Sequence, residues 1–185
     1  ISGAAGNLGR ALAGVLGQSG ARLVLVDRDR AMLQRSFGAP DARCCFAPAD
    51  LLDERQVGEA VRAGLAAFGR IDGLCNLAGG FAMGEKAHEA SPQTWARMRD
   101  LNLETLLNMC RAAVPAMLEG GGGRIVNIAA NSARQGVAGM GPYVLAKSGV
   151  IRLTETMSAE LRDQGINVNC VMPGVIDTPE NRAAM

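Results

Sequence analysis

Tyr143 and Lys147 stand four residues apart at the start of a segment that reads as a helix. At that spacing both side chains lie on one helical face, one turn apart. A nearby lysine ammonium favours phenolate and lowers a tyrosine pKa towards neutrality. A phenol tuned in this way can pass a proton to or from an alcohol oxygen. The same pair also recurs on solvated helix faces, so its meaning depends on what the rest of the chain brings to it.

The chain opens with Gly3-Ala4-Ala5-Gly6-Asn7-Leu8-Gly9, which runs into an apolar-periodic segment through Leu12, Val15 and Leu16. After Gly20 comes an unbroken apolar run, Leu23 to Val26, closed by Asp27. Glycine turn, helix, buried strand and terminal acid in this order predict a dinucleotide site. The glycines allow a tight turn and close approach of the backbone to a pyrophosphate, which rests on the N–H groups opening the helix. Asp27 lies 18 residues after Gly9, near the spacing expected of an acid that grips a ribose diol. A 2′-phosphate would face that carboxylate, which favours NAD(H). Arg28 could pair such a phosphate, which leaves NADP(H) open.

Those residues need a scaffold, and the pattern of the chain supplies one. The 185 residues fit one domain, with a core that the low aromatic share of 3% makes largely aliphatic. Helices are expected from about Asn7 to Ser19, Asp29 to Phe37, after Asp53, from Ser91-Pro92 onward, and from Tyr143 to Arg162. Ser91 reads as an N-cap with proline at the first helical position. Pro115 is expected to bend or end its helix. Strands are expected at Arg22–Val26, Cys44–Ala47, Ile71–Leu77, Arg124–Ala129 and Ile166–Met172, the last of them buried. Alternating βα units predict a doubly wound parallel sheet in a three-layer α/β/α arrangement. Ligands of such sheets bind beyond the carboxyl ends of the strands. The glycine loop, Asp27, Asp50, Asn76, the segment before Tyr143 and Pro173-Gly174 all fall at that edge.

A formal net charge of +1, with no run of like charges, argues against nucleic acid or an anionic membrane as partner. No apolar stretch is long enough to span a membrane. Cys44, Cys45, Cys75, Cys110 and Cys170 form no C-x-x-C and read as small hydrophobes in a reducing, cytoplasmic setting. The only histidine, His88, has no second ligand near it in sequence, so no metal is expected.

Together the glycine loop and the Tyr143/Lys147 pair resemble the short-chain dehydrogenase/reductase family over essentially the whole chain. Asp50-Leu51, Asn76-Leu77-Ala78-Gly79, Asn102 and Pro173-Gly174 carry the resemblance further. The strings Ala78-Gly79-Gly80, Gly139-Met140-Gly141 and Asp177-Thr178-Pro179-Glu180-Asn181-Arg182 with Met185 look like its dihydropteridine-reductase-like branch. Relative to the family, most of the first strand and the C-terminal substrate-covering region are expected to be missing.

The resemblance implies that Gly3, Gly6, Asn7, Leu8, Gly9, Asp27 and Arg28 hold the adenosine diphosphate half of the cofactor. It implies that Asp50 and Leu51 hold the adenine edge, and that Asn76, Ala78 and Gly79 line the adenosine side. Pro173, Gly174, Ile176 and Thr178 would contact the nicotinamide carboxamide. Asn102 would kink its helix and hold a water linked to Lys147, which would also bond the nicotinamide ribose. The helices carrying Asn102 and Tyr143 would form the faces of a homodimer or homotetramer. The plain alternatives are a helix cap or turn residue for Asp50, a strand end for Asn76 and a solvent-facing or backbone-bonded residue for Asn102.

Two departures stand out. The family usually places a serine about 13 residues before the tyrosine, and here that position is Ala130. Ser132 is the nearest hydroxyl, beside Asn131. Either Ser132 or Asn131 reaches in from a shifted loop, or the substrate needs no such donor. A two-residue shift along a strand keeps the side-chain face, so Ser132 could look towards the cleft as a catalytic donor of at most secondary weight, with Ala130 pointing at the substrate space. Only two residues separate Gly3 from Gly6, as in extended family members. The expected activity is hydride transfer between NAD(P)(H) and a small carbonyl, alcohol or quinonoid substrate, with Tyr143 as acid/base. The alternatives are an NAD(H)-binding sensor without turnover and an extended-type epimerase or dehydratase.

Overall fold

The computed structural model describes residues 1–184; Met185 lies outside them. Five parallel strands form its sheet: β1 (Leu23–Leu25), β2 (Cys44–Phe46), β3 (Gly73–Asn76), β4 (Gly123–Ile128) and β5 (Ile166–Val171). β1 pairs with β2, and β3, β4 and β5 pair in that order. Between the two groups stands only Ser2, in parallel bridges to Val26 on one side and Asn76 on the other. Its N–H donates to the Cys75 carbonyl at 3.0 Å, while the Val26 N–H donates to the Ile1 carbonyl at 2.9 Å. The chain thus winds outward from Ser2 through β1 to β2, returns, and winds the other way through β3 to β5. That is the doubly wound order, with its switch point at Ser2 and the glycine loop directly above it.

Helices α1 (Asn7–Gln18), α2 (Arg30–Phe37), α3 (Glu54–Phe68), α4 (Pro92–Arg99), α5 (Thr105–Glu119), α6 (Gly141–Leu161) and α7 (Pro179–Ala184) complete the domain. Several start where side chains satisfy the free N–H groups. Asp29 accepts from the Ala31 N–H, Asp53 from Arg55 and Gln56, and Ser91 from Thr94. Val57 and Ala60 of α3, Met109 and Ala113 of α5, and Val150 of α6 bury their side chains with Leu74 and Ile125 of the sheet. α3 packs on α5, and α4 packs on α6.

Of the two outcomes expected at Pro115, an end to the helix is excluded, because α5 runs through it to Glu119. Proline removes the bond to the Arg111 carbonyl, but Pro115 and Arg111 are both exposed, so water can serve that oxygen while buried Ala113 and Met117 hold the opposite face. The last strand is not buried throughout. Ile166 and Val168 are covered, whereas Asn167 and Asn169 are exposed, the alternation of a strand covered on one face.

Candidate active site

The site is built at the carboxyl ends of the strands. α6 opens with Pro142 in its first turn, and its pitch places Tyr143 and Lys147 on one face. Lys147 is buried, 6% exposed, and its ammonium donates to the Ile128 carbonyl at the end of β4, 2.7 Å away. Burial lowers its pKa to about 8. Tyr143 is half-buried, with its ring edge-to-face with Phe81 at a centroid distance of 4.9 Å and an interplanar angle of 85°. Burial raises the phenol pKa, contrary to the lowering expected from the lysine. The cause is desolvation of the half-buried phenol, which disfavours the charged phenolate.

Asn102 is 1% exposed, so of its plain alternatives the solvent-facing one is excluded and the backbone-bonded one is met. Its helix widens into a π turn at Asp100–Glu104, and its amide donates to the Met98 carbonyl at 3.0 Å. Its Oδ1 accepts the Gly80 N–H at 3.1 Å. Gly79 fills the remaining space, since a Cβ there would lie 2.9 Å from Asn102 Oδ1 and 3.4 Å from Lys147 Nζ. Asn102, Gly79 and Lys147 therefore converge across three elements.

The glycine loop has its own reasons. Gly3 has φ +65°, and a Cβ on it would lie 2.7 Å from the Ala78 nitrogen. A side chain on Gly9 would collide with the Gly3 carbonyl. Gly6 precedes α1 without any side-chain cap, so Asn7, Leu8 and Gly9 open the helix beside an exposed glycine. The half-exposed Asp27 accepts the Ala5 N–H at 2.9 Å on one oxygen and the Arg28 N–H at 2.8 Å on the other. Its carboxylate thus braces the loop while keeping lone pairs for a ligand. A helix N-terminus without a side-chain cap, a backbone cradle that side chains would block and an acid at its rim fit a dinucleotide.

Other expected residues hold structural roles. Asn76 lines no open surface, because its side chain is buried and tied to Asn127 at 2.9 Å, and through it to Thr154 on α6. It is an interior tie between strands. Asp50 accepts the Leu52 N–H in a local turn, and the buried Leu51 offers its carbonyl to Asn108 at 2.9 Å. Ser132 is not on a strand. β4 ends at Ile128, and Asn131–Arg134 form a 3-10 turn, so alternation cannot fix the direction of Ser132. Ala130, 7% exposed, is buried. The Pro173 carbonyl accepts the Asn131 N–H at 2.8 Å, joining the segment of Pro173, Gly174, Ile176 and Thr178 to that turn. Asp177 and Arg182 form an ion pair across the start of α7.

Three contributors were not expected. Asn108 holds the Leu51 carbonyl, Ser148 holds the 3-10 turn through the Ala133 carbonyl at 2.9 Å, and Phe81 contacts Tyr143. An aromatic residue just past Gly79-Gly80 was the one available signal for Phe81. Among the described residues, no three His, Cys, Asp or Glu side chains gather as a metal site. No helix there is long and apolar enough to cross a membrane.

A family model described as short chain dehydrogenase matches residues 1–184. A D-threitol dehydrogenase from Mycolicibacterium smegmatis is 36% identical over 96% of this chain and 69% of its own length. An inactive 2-(S)-hydroxypropyl-CoM dehydrogenase 2 from Xanthobacter autotrophicus is 34% identical over 86% of this chain and 69% of its own. The carveol dehydrogenase of Mycobacterium avium, solved in complex with NAD, superposes with a TM-score of 0.86 at 31% identity, covering 94% of this chain and 68% of that one.

Proposed function

The chain belongs to the short-chain dehydrogenase family and is an NAD(P)-dependent oxidoreductase, and from that premise we propose that Tyr143 is its acid/base and Lys147 its cofactor-orienting cation. What supports this reading most is the convergence of Lys147, Asn102 and Gly79 one helical turn from Tyr143. The substrate is a small alcohol or its carbonyl counterpart, and the bound nicotinamide supplies the hydride acceptor or donor.

The proton is the protein's share of the chemistry. In carbonyl reduction the Tyr143 phenol gives its proton to the oxygen that becomes an alcohol. In oxidation the phenolate takes that proton back. Burial raises the pKa of the Tyr143 phenol, so it holds its proton more firmly than a solvated tyrosine does. Lys147 spends one N–H donor on the Ile128 carbonyl, leaving two for the nicotinamide ribose. Asn102 and Gly80 fix the floor beside that cation.

On the adenosine side, the opening of α1 receives the pyrophosphate and Asp27 the ribose diol, with NAD(H) preferred and NADP(H) admitted only against the carboxylate. Asp50 borders the adenine, and Pro173, Gly174, Ile176 and Thr178 border the carboxamide. The cleft between α4 and α6, lined by Trp95, Leu103 and the exposed Leu145, is where a homodimer or homotetramer would form.

The inactive relative keeps a second reading in view, that of a cofactor-binding protein without turnover. The test is a panel of alcohols and carbonyl compounds read by NADH absorbance, run on the unmutated protein and on Tyr143→Phe. Turnover confined to the unmutated protein upholds the proposal. NADH bound but never oxidised by any carbonyl compound upholds the second reading.

A further inference from the structure

We infer that Phe81 is the apolar wall of the substrate site beside Tyr143, and that the site therefore selects alicyclic or otherwise apolar alcohols and ketones over polyols. The inference rests on the proposed role of Tyr143. The Phe81 ring stands edge-to-face on the Tyr143 ring, yet Phe81 is 53% exposed and its loop neighbour Met83 is 62% exposed. Both are rich in carbon and offer no strong hydrogen-bonding group.

The loop is held against the start of α6. The Gly84 N–H donates to the Gly139 carbonyl at 2.9 Å, four residues before Tyr143. A Cβ on Gly141 would lie 3.2 Å from the Ala87 side chain and 3.6 Å from the Trp95 ring. Phe81 is therefore fixed relative to the phenol, and one ring constrains the other. Aromatic pairs favour this geometry because the positive edge of one ring meets the negative face of the other.

Chemistry then decides the substrate. An apolar body placed beside the phenol covers the exposed carbon of Phe81 and releases water from it. A polyol placed there loses water from hydroxyls that the wall cannot pair. Phe81 also shields the phenol from water, in keeping with the raised pKa of Tyr143.

The test measures kcat and KM for cyclohexanol and erythritol with NAD+, on the unmutated protein, Phe81→Ala and Phe81→Leu. NADH affinity is followed by fluorescence. The unmutated protein should favour cyclohexanol by at least tenfold in kcat/KM. Phe81→Ala should lose roughly 10- to 100-fold on cyclohexanol, chiefly through KM, and under threefold on erythritol. NADH affinity should hold. Phe81→Leu should restore most of the selectivity. In Phe81→Ala, the pH profile of oxidation should move to lower pH as the phenol gains water.

Preference of the unmutated protein for erythritol would overturn the inference. So would equal losses on both alcohols with an unmoved pH profile. Either result, with Tyr143→Phe inactive, leaves the acid/base reading standing. Turnover on both alcohols undiminished in Tyr143→Phe would instead remove that reading, and this inference with it.

Discussion

Gly79 is in contact with Asn102, and no larger residue fits between them: a Cβ would stand 2.9 Å from Asn102 Oδ1 and 3.4 Å from the Lys147 ammonium. That oxygen already accepts the Gly80 N–H, so it cannot retreat without breaking a buried hydrogen bond. Gly79→Ala should shift Asn102 and Lys147 together. The expected cost is about 1–3 kcal/mol of stability from overpacking and a fall in kcat of up to roughly 100-fold from misplacement. Thermal unfolding and steady-state kinetics measure both. Unchanged kcat would mean that this contact does not set the position of the cation.

Lys147 predicts a pH dependence with a definite sign. Its folded pKa of about 8 lies below the ordinary 10.5. Between those values the unfolded chain carries a proton that the folded chain lacks, so the Lys147 contribution to stability rises with pH and is lost as pH falls towards 8. At about 1.4 kcal/mol per pKa unit, the stability of the unmutated protein relative to Lys147→Met should rise by about 3 kcal/mol from pH 8 to pH 10.5. Urea titrations across that window check it. A flat difference would show that the ammonium is not desolvated.

Asp27 braces the glycine loop through the Ala5 N–H, and the proposed function gives it the ribose diol as well. Asp27→Asn keeps a side-chain oxygen for that bond while removing the charge. NADH affinity should fall by roughly 10- to 100-fold, the worth of about 1.5–3 kcal/mol for a charged hydrogen bond. NADPH affinity should rise. Fluorescence titration of both cofactors decides it, and equal affinities before mutation would contradict the assignment to NAD(H).

Ser132 should matter little. It sits on a 3-10 turn rather than continuing β4, which removes the reason for aiming it into the cleft. Ser132→Ala should cost below about 1 kcal/mol in kcat/KM, against about 2.7–4 kcal/mol for a lost oxyanion donor. A hundredfold loss with intact NADH binding would place Ser132 among the catalytic groups.

What the sequence disclosed and what it hid follow from range. The glycine loop with Asp27, the caps Asp53 and Ser91, and the Tyr143/Lys147 pair are set by local spacing, and the structure keeps all of those placements. The contact of Phe81 with Tyr143 and the Asn108 bond to Leu51 join residues far apart in sequence, which periodicity does not encode. The raised Tyr143 pKa depends on burial, which no local pattern gives. Asn76 reads from its place at a strand end as a lining residue, but the direction of its side chain makes it an interior tie. Asp177 and Arg182, part of a string that resembles one branch of the family, pair with each other, so that string has a local structural reason as well.

The central claim is that Tyr143 moves the proton, and Tyr143→Phe tests it most directly. The substitution keeps the ring that meets Phe81 and removes only the hydroxyl. Single-turnover oxidation of NADH by a carbonyl substrate, with NADH affinity measured in parallel, separates chemistry from binding. The account predicts a fall of roughly 10²–10⁴-fold in the chemical step with affinity nearly unchanged. A Tyr143→Phe protein that keeps most of its rate would contradict it and assign the proton to another group.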